Sequence, residues 1–340
     1  MPKLYFDDFA PGWTQICGPV TVTKEDIVAF AREFDAQPFH TDEEAAKETF
    51  VGTLIASGWH TCSLNMRLIA EGFLLDTAGM GAPGIDEVKW LKPVLPGDTL
   101  RTRASVLESR ASRSRPDLGL VRFGFEMLNQ RDEAVLYQTN WILIGRRDAA
   151  PGVEGGARPG TPERSGAAAA TSAPSVGNSD EAPTPYLDDL VVGETSVLGS
   201  HRFTEEEIVR FARAYDPQRF HVDPEAARQS LFGALCASGW HTGSVWMKLM
   251  VARRDAATAA ALKRGERPAQ LGPSPGFKNL KWNKPVYVGD TVTYSSTVVD
   301  KRLSASRPDW GLAFHRNAGV NQRGEEVFSF DGVVFWERRR

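Results

Sequence analysis

The chain repeats itself, and no other feature of the sequence limits its fold as strongly. Displaced by 181 residues, Phe30–Thr61 lies over Phe211–Thr242 with 19 identities in 32 positions. Two stretches that alike build the same backbone. Farther on the displacement becomes 192, where KWLKPVLPGDT (Lys89–Thr99) meets KWNKPVYVGDT (Lys281–Thr291) with 8 identities in 11, and SRPDLG at Ser114 meets SRPDWG at Ser306. The second copy therefore carries eleven extra residues between Thr242 and Lys281. The run RRDAATAAALKRGERPAQLGPSP in that interval starts Ala-rich and ends Pro/Gly-rich, which predicts a lengthened helix followed by a loop.

Between the copies, residues 149–184 are almost free of large apolar side chains and rich in Gly, Pro, Ala and Ser. Such a segment cannot bury enough surface to offset its ordering entropy, so a flexible linker is expected there. The reading is thus a domain at 1–148, a linker at 149–184 and a second domain at 185–340. Two similar domains joined this way are expected to pair as an internal pseudo-dimer; whether that unit pairs further is left open.

Function classes fall away on composition. A net charge of −3 over 340 residues, with the 40 Lys and Arg scattered, gives no footprint for nucleic acid or an anionic membrane. No apolar run is long enough to span a bilayer, and the start MPKLYFDDFAPG lacks a cationic, then apolar, leader. Cys17, Cys62 and Cys236 form no C-x-x-C, which fits reduced thiols and a cytoplasmic location and excludes a disulfide scaffold or zinc ribbon.

Each copy reads in the same order. A β-like opening (14–22; 195–203) runs to Thr23 or Thr204 as N-cap, with Glu207 completing a capping box in the second copy. Ile27, Phe30, Ala31 and Phe34, like Ile208, Phe211, Ala212 and Tyr215, then make the apolar stripe of an amphipathic helix. A short polar helix (43–48; 225–229) and a long helix opening at Ser57 or Ser238 follow. The rest is strand-like, with breaks at PGD, RPDLG and NQRDE that read as hairpin turns. Helices followed by antiparallel strands make an α+β class in which a sheet wraps a helix.

Two motifs carry chemistry. Asp35-Ala-Gln-Pro-Phe-His40 and Asp216-Pro-Gln-Arg-Phe-His221 share D-x-Q-x-F-H. On a continuous helix the Asp and His would point about 140° apart, but Pro38 and Pro217 disfavour helix before them, leaving Asp at a helix end and His on a turn that can fold back. A carboxylate beside an imidazole is a general acid/base pair; an Asp closing a helix and a His bonding a loop carbonyl is the competing structural reading. The second motif is Ala-Ser-Gly-Trp-His-Thr at Ala56 and Ala237. Gly58 and Gly239, at the first turn of the long helix beside Ser57 and Ser238, would expose N–H groups at the positive end of the helix dipole, the makings of an oxyanion hole; an ordinary cap and close packing compete. For His60 and His241 buried hydrogen bonding outweighs a direct catalytic role. Lys89, Trp90 and Lys92, with their counterparts Lys281, Trp282 and Lys284, are candidates for an anionic ligand's path, against a strand with one solvated face. The sequence has no H-x-x-x-H or H-E-x-x-H, no phosphate loop and no G-x-S-x-G elbow, so no metal and no cofactor is expected.

FAREFDAQPFHTDEEAAKETFVGTLIASG and FARAYDPQRFHVDPEAARQSLFGALCASG resemble the MaoC-like dehydratase family, which includes the (R)-specific enoyl-CoA hydratases. The resemblance runs through both halves and leaves out the linker. It implies two hot-dog domains and hydration of a trans-2-enoyl-CoA, or dehydration of an (R)-3-hydroxyacyl-CoA, with the CoA thioester as the small-molecule partner. It assigns water activation to Asp35 with His40 and Asp216 with His221, and the thioester oxygen to Gly58 and Gly239. This chain departs from the family pattern in having Gln37 and Gln218 in place of Asn, and Ser-Gly in place of His-Gly at the helix start. Gln37, Gln218, Arg219, Lys89 and Lys281 are accordingly read as contacts for CoA or the acyl group. Arg219 stands where the first copy has Pro38; turned inward, it would bind a substrate carboxylate or CoA phosphate and make the second site prefer a more acidic acyl group, with outward solvation as the competing reading. A hot-dog thioesterase and a non-catalytic acyl-CoA-binding module are the rival functions.

Overall fold

The computed structural model of the chain describes residues 2–147 and 184–339, so the expected linker at 149–184 lies, but for Thr184, outside the described residues. Strand β1 (Thr14–Thr21) leads to Thr23, whose hydroxyl accepts from the Asp26 N–H at 3.0 Å while the Asp26 carboxylate accepts from the Thr23 N–H. Helix α1 (Lys24–Phe34) therefore starts on a capping box built with Asp, and it buries Ile27, Phe30, Ala31 and Phe34 as the stripe predicts. It stops because Asp35 leaves helical geometry (φ −153°) and Pro38 opens the one-turn α2 (Pro38–Thr41). Asp42 then caps α3 (Glu43–Lys47), and Ser57 caps α4 (Gly58–Gly72). Strands β2 (Gly84–Trp90), β3 (Thr99–Ala111), β4 (Leu118–Leu128) and β5 (Ala134–Gly145) complete the half.

The second half repeats this as β6 (Thr195–Arg202), α5 (Glu205–Tyr215), α6 (Arg219–Val222), α7 (Pro224–Arg228), α8 (Gly239–Lys263), β7 (Gly276–Trp282), β8 (Thr291–Leu303), β9 (Trp310–Asn321) and β10 (Glu326–Glu337). The extra residues went where their composition predicts: α8 has 25 residues against 15 in α4.

Each half is a hot-dog domain, and the two share one ten-stranded sheet in the order β1-β3-β4-β5-β2-β7-β10-β9-β8-β6. The RPD and NQRD turns close the β3–β4 and β4–β5 hairpins, but the Pro-Gly-Asp turn does not close one. Strand β2 lies between β5 and β7, so its edge is taken by the other half and β3 pairs elsewhere. The internal pseudo-dimer is thus held by a backbone ladder from Gly84↔Lys281 to Lys89↔Gly276. One apolar cluster continues through both halves, with Trp59 of α4 stacked on Phe277 of β7 at 5.3 Å and Phe34 edge-on to Phe211 at 5.7 Å. Among the described residues no helix is long and apolar enough to cross a membrane.

The ladder is close enough to need glycine at both ends. A Cβ on Gly84 would lie 2.1 Å from the Leu280 carbonyl oxygen, and one on Gly276, whose φ is +144°, would lie 2.0 Å from that of Val88. Gly276→Ala is therefore expected to cost more than about 3 kcal/mol, through both strain and backbone overlap. Gly97→Ala, with φ +87° but open space around it, should cost only about 1–2 kcal/mol. Urea midpoints of the two variants check this; equal losses would show that the junction tolerates a side chain.

Candidate active site

Asp35 ends α1 with its carboxylate 2 % exposed, and three neighbours fix it. The Ser57 hydroxyl donates to Oδ2 at 2.6 Å, and the Gln37 side-chain amide donates to Oδ1 at 2.8 Å. The third is His40, on α2, with Nε2 3.5 Å from Oδ2. The other ring nitrogen, Nδ1, lies 2.8 Å from the carbonyl oxygen of Ile55. A carbonyl only accepts, so Nδ1 carries the proton, and in the neutral ring Nε2 keeps its lone pair. Nε2 and Oδ2 are then two acceptors side by side, an arrangement that a molecule with two O–H donors bridges.

The second half repeats the set. Ser238 donates to Asp216 at 2.7 Å, Gln218 at 2.9 Å, His221 Nε2 stands 3.5 Å from the carboxylate, and His221 Nδ1 lies 2.8 Å from the Cys236 carbonyl oxygen. The two readings of the His thus coexist: one nitrogen bonds the loop carbonyl, and that bond aims the other at the Asp.

Each pair opens into a cavity lined by both halves. Asp35, Gln37, His40 and Gly58 face a cavity of about 560 Å³ whose opposite wall includes Met247, Met250 and Arg254 of α8. Asp216, Gln218, His221 and Gly239 face one of about 300 Å³, walled by Met66, Ile69 and Leu74. Gly58 and Gly239 present first-turn backbone to the cavities, but their missing side chains serve packing. A Cβ on Gly58 would meet the Trp90 ring at 2.5 Å, and one on Gly239 the Trp282 ring at 2.0 Å.

Other expected contacts need correction. Ser57 and Ser238 are wholly buried and do not line the cavities, since each hydroxyl gives its proton to the Asp and accepts a helix N–H from Trp59 or Trp240. They position the carboxylate rather than the substrate. Lys89 and Lys281 lie on the exposed side of β2 and β7, where alternation turns them away from the cavities, and Lys89 pairs with Glu87 at 3.0 Å. The other members of that candidate set, Trp90 with Lys92 and Trp282 with Lys284, do line the cavities. Arg219 begins α6 exposed and outside either cavity, so the second site gains no cation from it. The cation that sequence reasoning missed is Arg254, which lines the first cavity; its only visible signal was its place in the lengthened helix.

His60 and His241 stay out of both cavities. Each stacks on a phenylalanine, His60 on Phe30 and His241 on Phe211, with centroids 4.6 Å apart, and Nδ1 of each is buried without a hydrogen bond. Packing rather than hydrogen bonding holds them, and burial pushes each ring down to about 3.

Residues 14–121 and 192–309 each match the family described as the MaoC like domain. Over 341 aligned residues, 95 % of this chain and 89 % of the relative, it is similar at 24 % identity to the β-methylmalyl-CoA dehydratase of Chloroflexus aurantiacus. Over 88 residues, 26 % of this chain and 24 % of the relative, it is 39 % identical to the mesaconyl-CoA hydratase of Cereibacter sphaeroides. Among solved structures, a MaoC-domain protein of C. aurantiacus superposes over the whole chain and 99 % of its own length, with TM-score 0.75 at 22 % identity. A conserved Mycobacterium tuberculosis protein with a double hot-dog fold gives TM-score 0.64 at 18 % identity over 97 % of each chain.

The stacked histidines have a measurable consequence. Their folded pKa of about 3 lies below the ordinary 6.5, so as pH falls through 6.5 the unfolded chain takes up protons that the folded chain refuses. Stability then declines until about pH 3, by up to about 1.4 kcal/mol per pH unit for each ring. Replacing His60 and His241 together by Phe should flatten the decline in unfolding free energy between pH 7 and 5. An unchanged slope would mean that the rings are not held neutral.

Proposed function

Since this chain belongs to the MaoC-like domain family in both of its halves, we propose that it is a hydro-lyase with one site in each half. It adds water to a trans-2-enoyl-CoA, or removes water from the matching (R)-3-hydroxyacyl-CoA. The observation that carries this reading is the pair of acceptors, His Nε2 and Asp Oδ2, 3.5 Å apart in the wall of a largely apolar cavity. The similarity to CoA-thioester hydratase and dehydratase relatives supports the same class.

In the first half, a water donating one hydrogen to His40 and one to Asp35 directs its oxygen lone pair at the substrate's β-carbon. As the C–O bond forms, one of the two acceptors takes the water's proton, and the electrons of the C=C bond move onto the thioester oxygen. That charge develops at the start of α4, where the Gly58 N–H meets it with the positive end of the helix dipole behind it. The protonated acceptor then returns a proton to the α-carbon, and the thioester carbonyl re-forms. Ser57 and Gln37 hold the Asp35 carboxylate in place throughout, and the Ile55 carbonyl holds the His40 ring in the tautomer that accepts.

Crotonyl-CoA separates the candidates: hydration removes the enoyl absorbance, hydrolysis releases free thiol, and a binding module does neither. Loss of absorbance without thiol release is expected. Asp35→Asn with Asp216→Asn, or His40→Ala with His221→Ala, should lower turnover about 10²-fold or more in a chain that remains folded. Wild-type turnover in either double variant would remove the assignment.

A further inference from the structure

The two sites are built alike around the Asp and His but differ in the walls that receive an acyl group. Helix α4 stops at Gly72, and Arg254 is the first residue of α8 beyond the matching point. Displaced by 181 residues its counterpart is Phe73, which packs into the aromatic cluster of the first half beside Phe9 and Trp13. Arg254 instead lines the first cavity and donates to Gln37 Oε1 at 2.6 Å. Gln37 is its one hydrogen-bond partner among the described residues. A guanidinium has five N–H donors in a planar fork, so the rest of the fork remains for an anion. Burial opposes the arginine's charge, and Asp35 and Asp255 are the anions that offset it.

The far wall of the same cavity is polar as well. Ser296 of β8 and Asn317 of β9 face each other across the ladder, 6 % and 2 % exposed, and both line the cavity. Ser296 Oγ and Asn317 Oδ1 are buried without a hydrogen-bond partner, a cost that a polar ligand group removes. Displaced by 192 residues, the same positions hold Ala104 and Phe125, both fully buried in the first half. The second cavity meets Phe125, Met66, Ile69 and Leu74; its polar residues Gln138 and Asn140 bond each other at 2.8 Å, and among the described residues no arginine lines it beside Gln218.

We propose that the first site binds acyl-CoA molecules whose acyl group carries a carboxylate, held by the fork of Arg254, and that the second site binds neutral acyl groups. The proposal rests on the hydratase reading for what the site does to its ligand, but the preference itself can be read by binding alone. It also reverses the asymmetry that Arg219 led the sequence to predict.

Calorimetric titration of the full chain with succinyl-CoA and with butyryl-CoA tests it. The two probes share CoA and a four-carbon acyl group, differ in the carboxylate, and have no double bond to hydrate. In the wild type one class of site should bind succinyl-CoA about tenfold or more tightly than butyryl-CoA, as a charge-assisted pair would give. Arg254→Leu should bring that ratio to about one. Arg254→Gln, which keeps a donor toward Gln37 without the charge, should do the same and serves as the second variant. An equal weakening of both probes would overturn the proposal, because Arg254 would then serve CoA or only the Asp35 carboxylate; so would an unchanged ratio in the variants. Discrimination between the probes without any loss of crotonyl-CoA absorbance would keep this inference and remove the hydratase reading. Hydration without discrimination would do the reverse.

Discussion

The pairing of β2 with β7 is the interaction on which the rest of the molecule depends. It turns two sheets into one, and in doing so it puts the wall of each cavity in the other half. The consequence reaches the chemistry directly. Trp90 gives its backbone N–H to the Pro275 carbonyl of the second half, and its ring fills the gap left by the missing side chain of Gly58; Trp282 and Pro83 do the same for Gly239. The first turn of each long helix is therefore set by a strand that is itself set by the opposite half. Two close glycine contacts, at Gly84 and Gly276, bring the ladder near enough for this.

Within each site a single backbone carbonyl decides what the imidazole can do. With Nδ1 engaged by Ile55 or Cys236, the neutral ring has one remaining valence for chemistry, and it faces the carboxylate. Ser57 and Ser238 do two tasks at once, capping a helix and fixing the Asp, because the start of α4 or α8 and the end of α1 or α5 are brought together over 22 residues of chain. His60 and His241 are the contrast: the same residue type, equally buried but on the long helices α4 and α8, stacked on aromatic rings and kept neutral by burial.

Much of this was legible in the sequence because it depends on local signals. The capping threonines, the apolar stripe of α1 and α5, and the proline that frees the Asp-to-His turn act over a few residues, and duplication showed each of them twice. What was not legible depends on the partner of a strand or on distance through space. The Pro-Gly-Asp turn looked like a hairpin because nothing local says that β2's edge belongs to β7. Lys89 was mistaken for a ligand contact by one step of strand alternation, with its neighbour Trp90 facing inward. Ser57 was placed at the substrate because its bond to Asp35 crosses between elements. Arg254 was hidden for a different reason: it sits where the repeat fails, so self-comparison gave it no counterpart of like chemistry.

The unequal lengths of α4 and α8 have a consequence for how such a molecule can change. In a dimer of identical chains every substitution is written twice, so a helix lengthened to alter one cavity alters both, and a wall that improves one site has to suit its twin. Joining the copies in one chain removes that tie. Each half then carries one Asp–His pair and the opposite wall of the other half's cavity, so drift in the second half remodels the first cavity while leaving its Asp and His untouched. The ten-residue difference between the helices is a change of this kind, available only after symmetry has been given up.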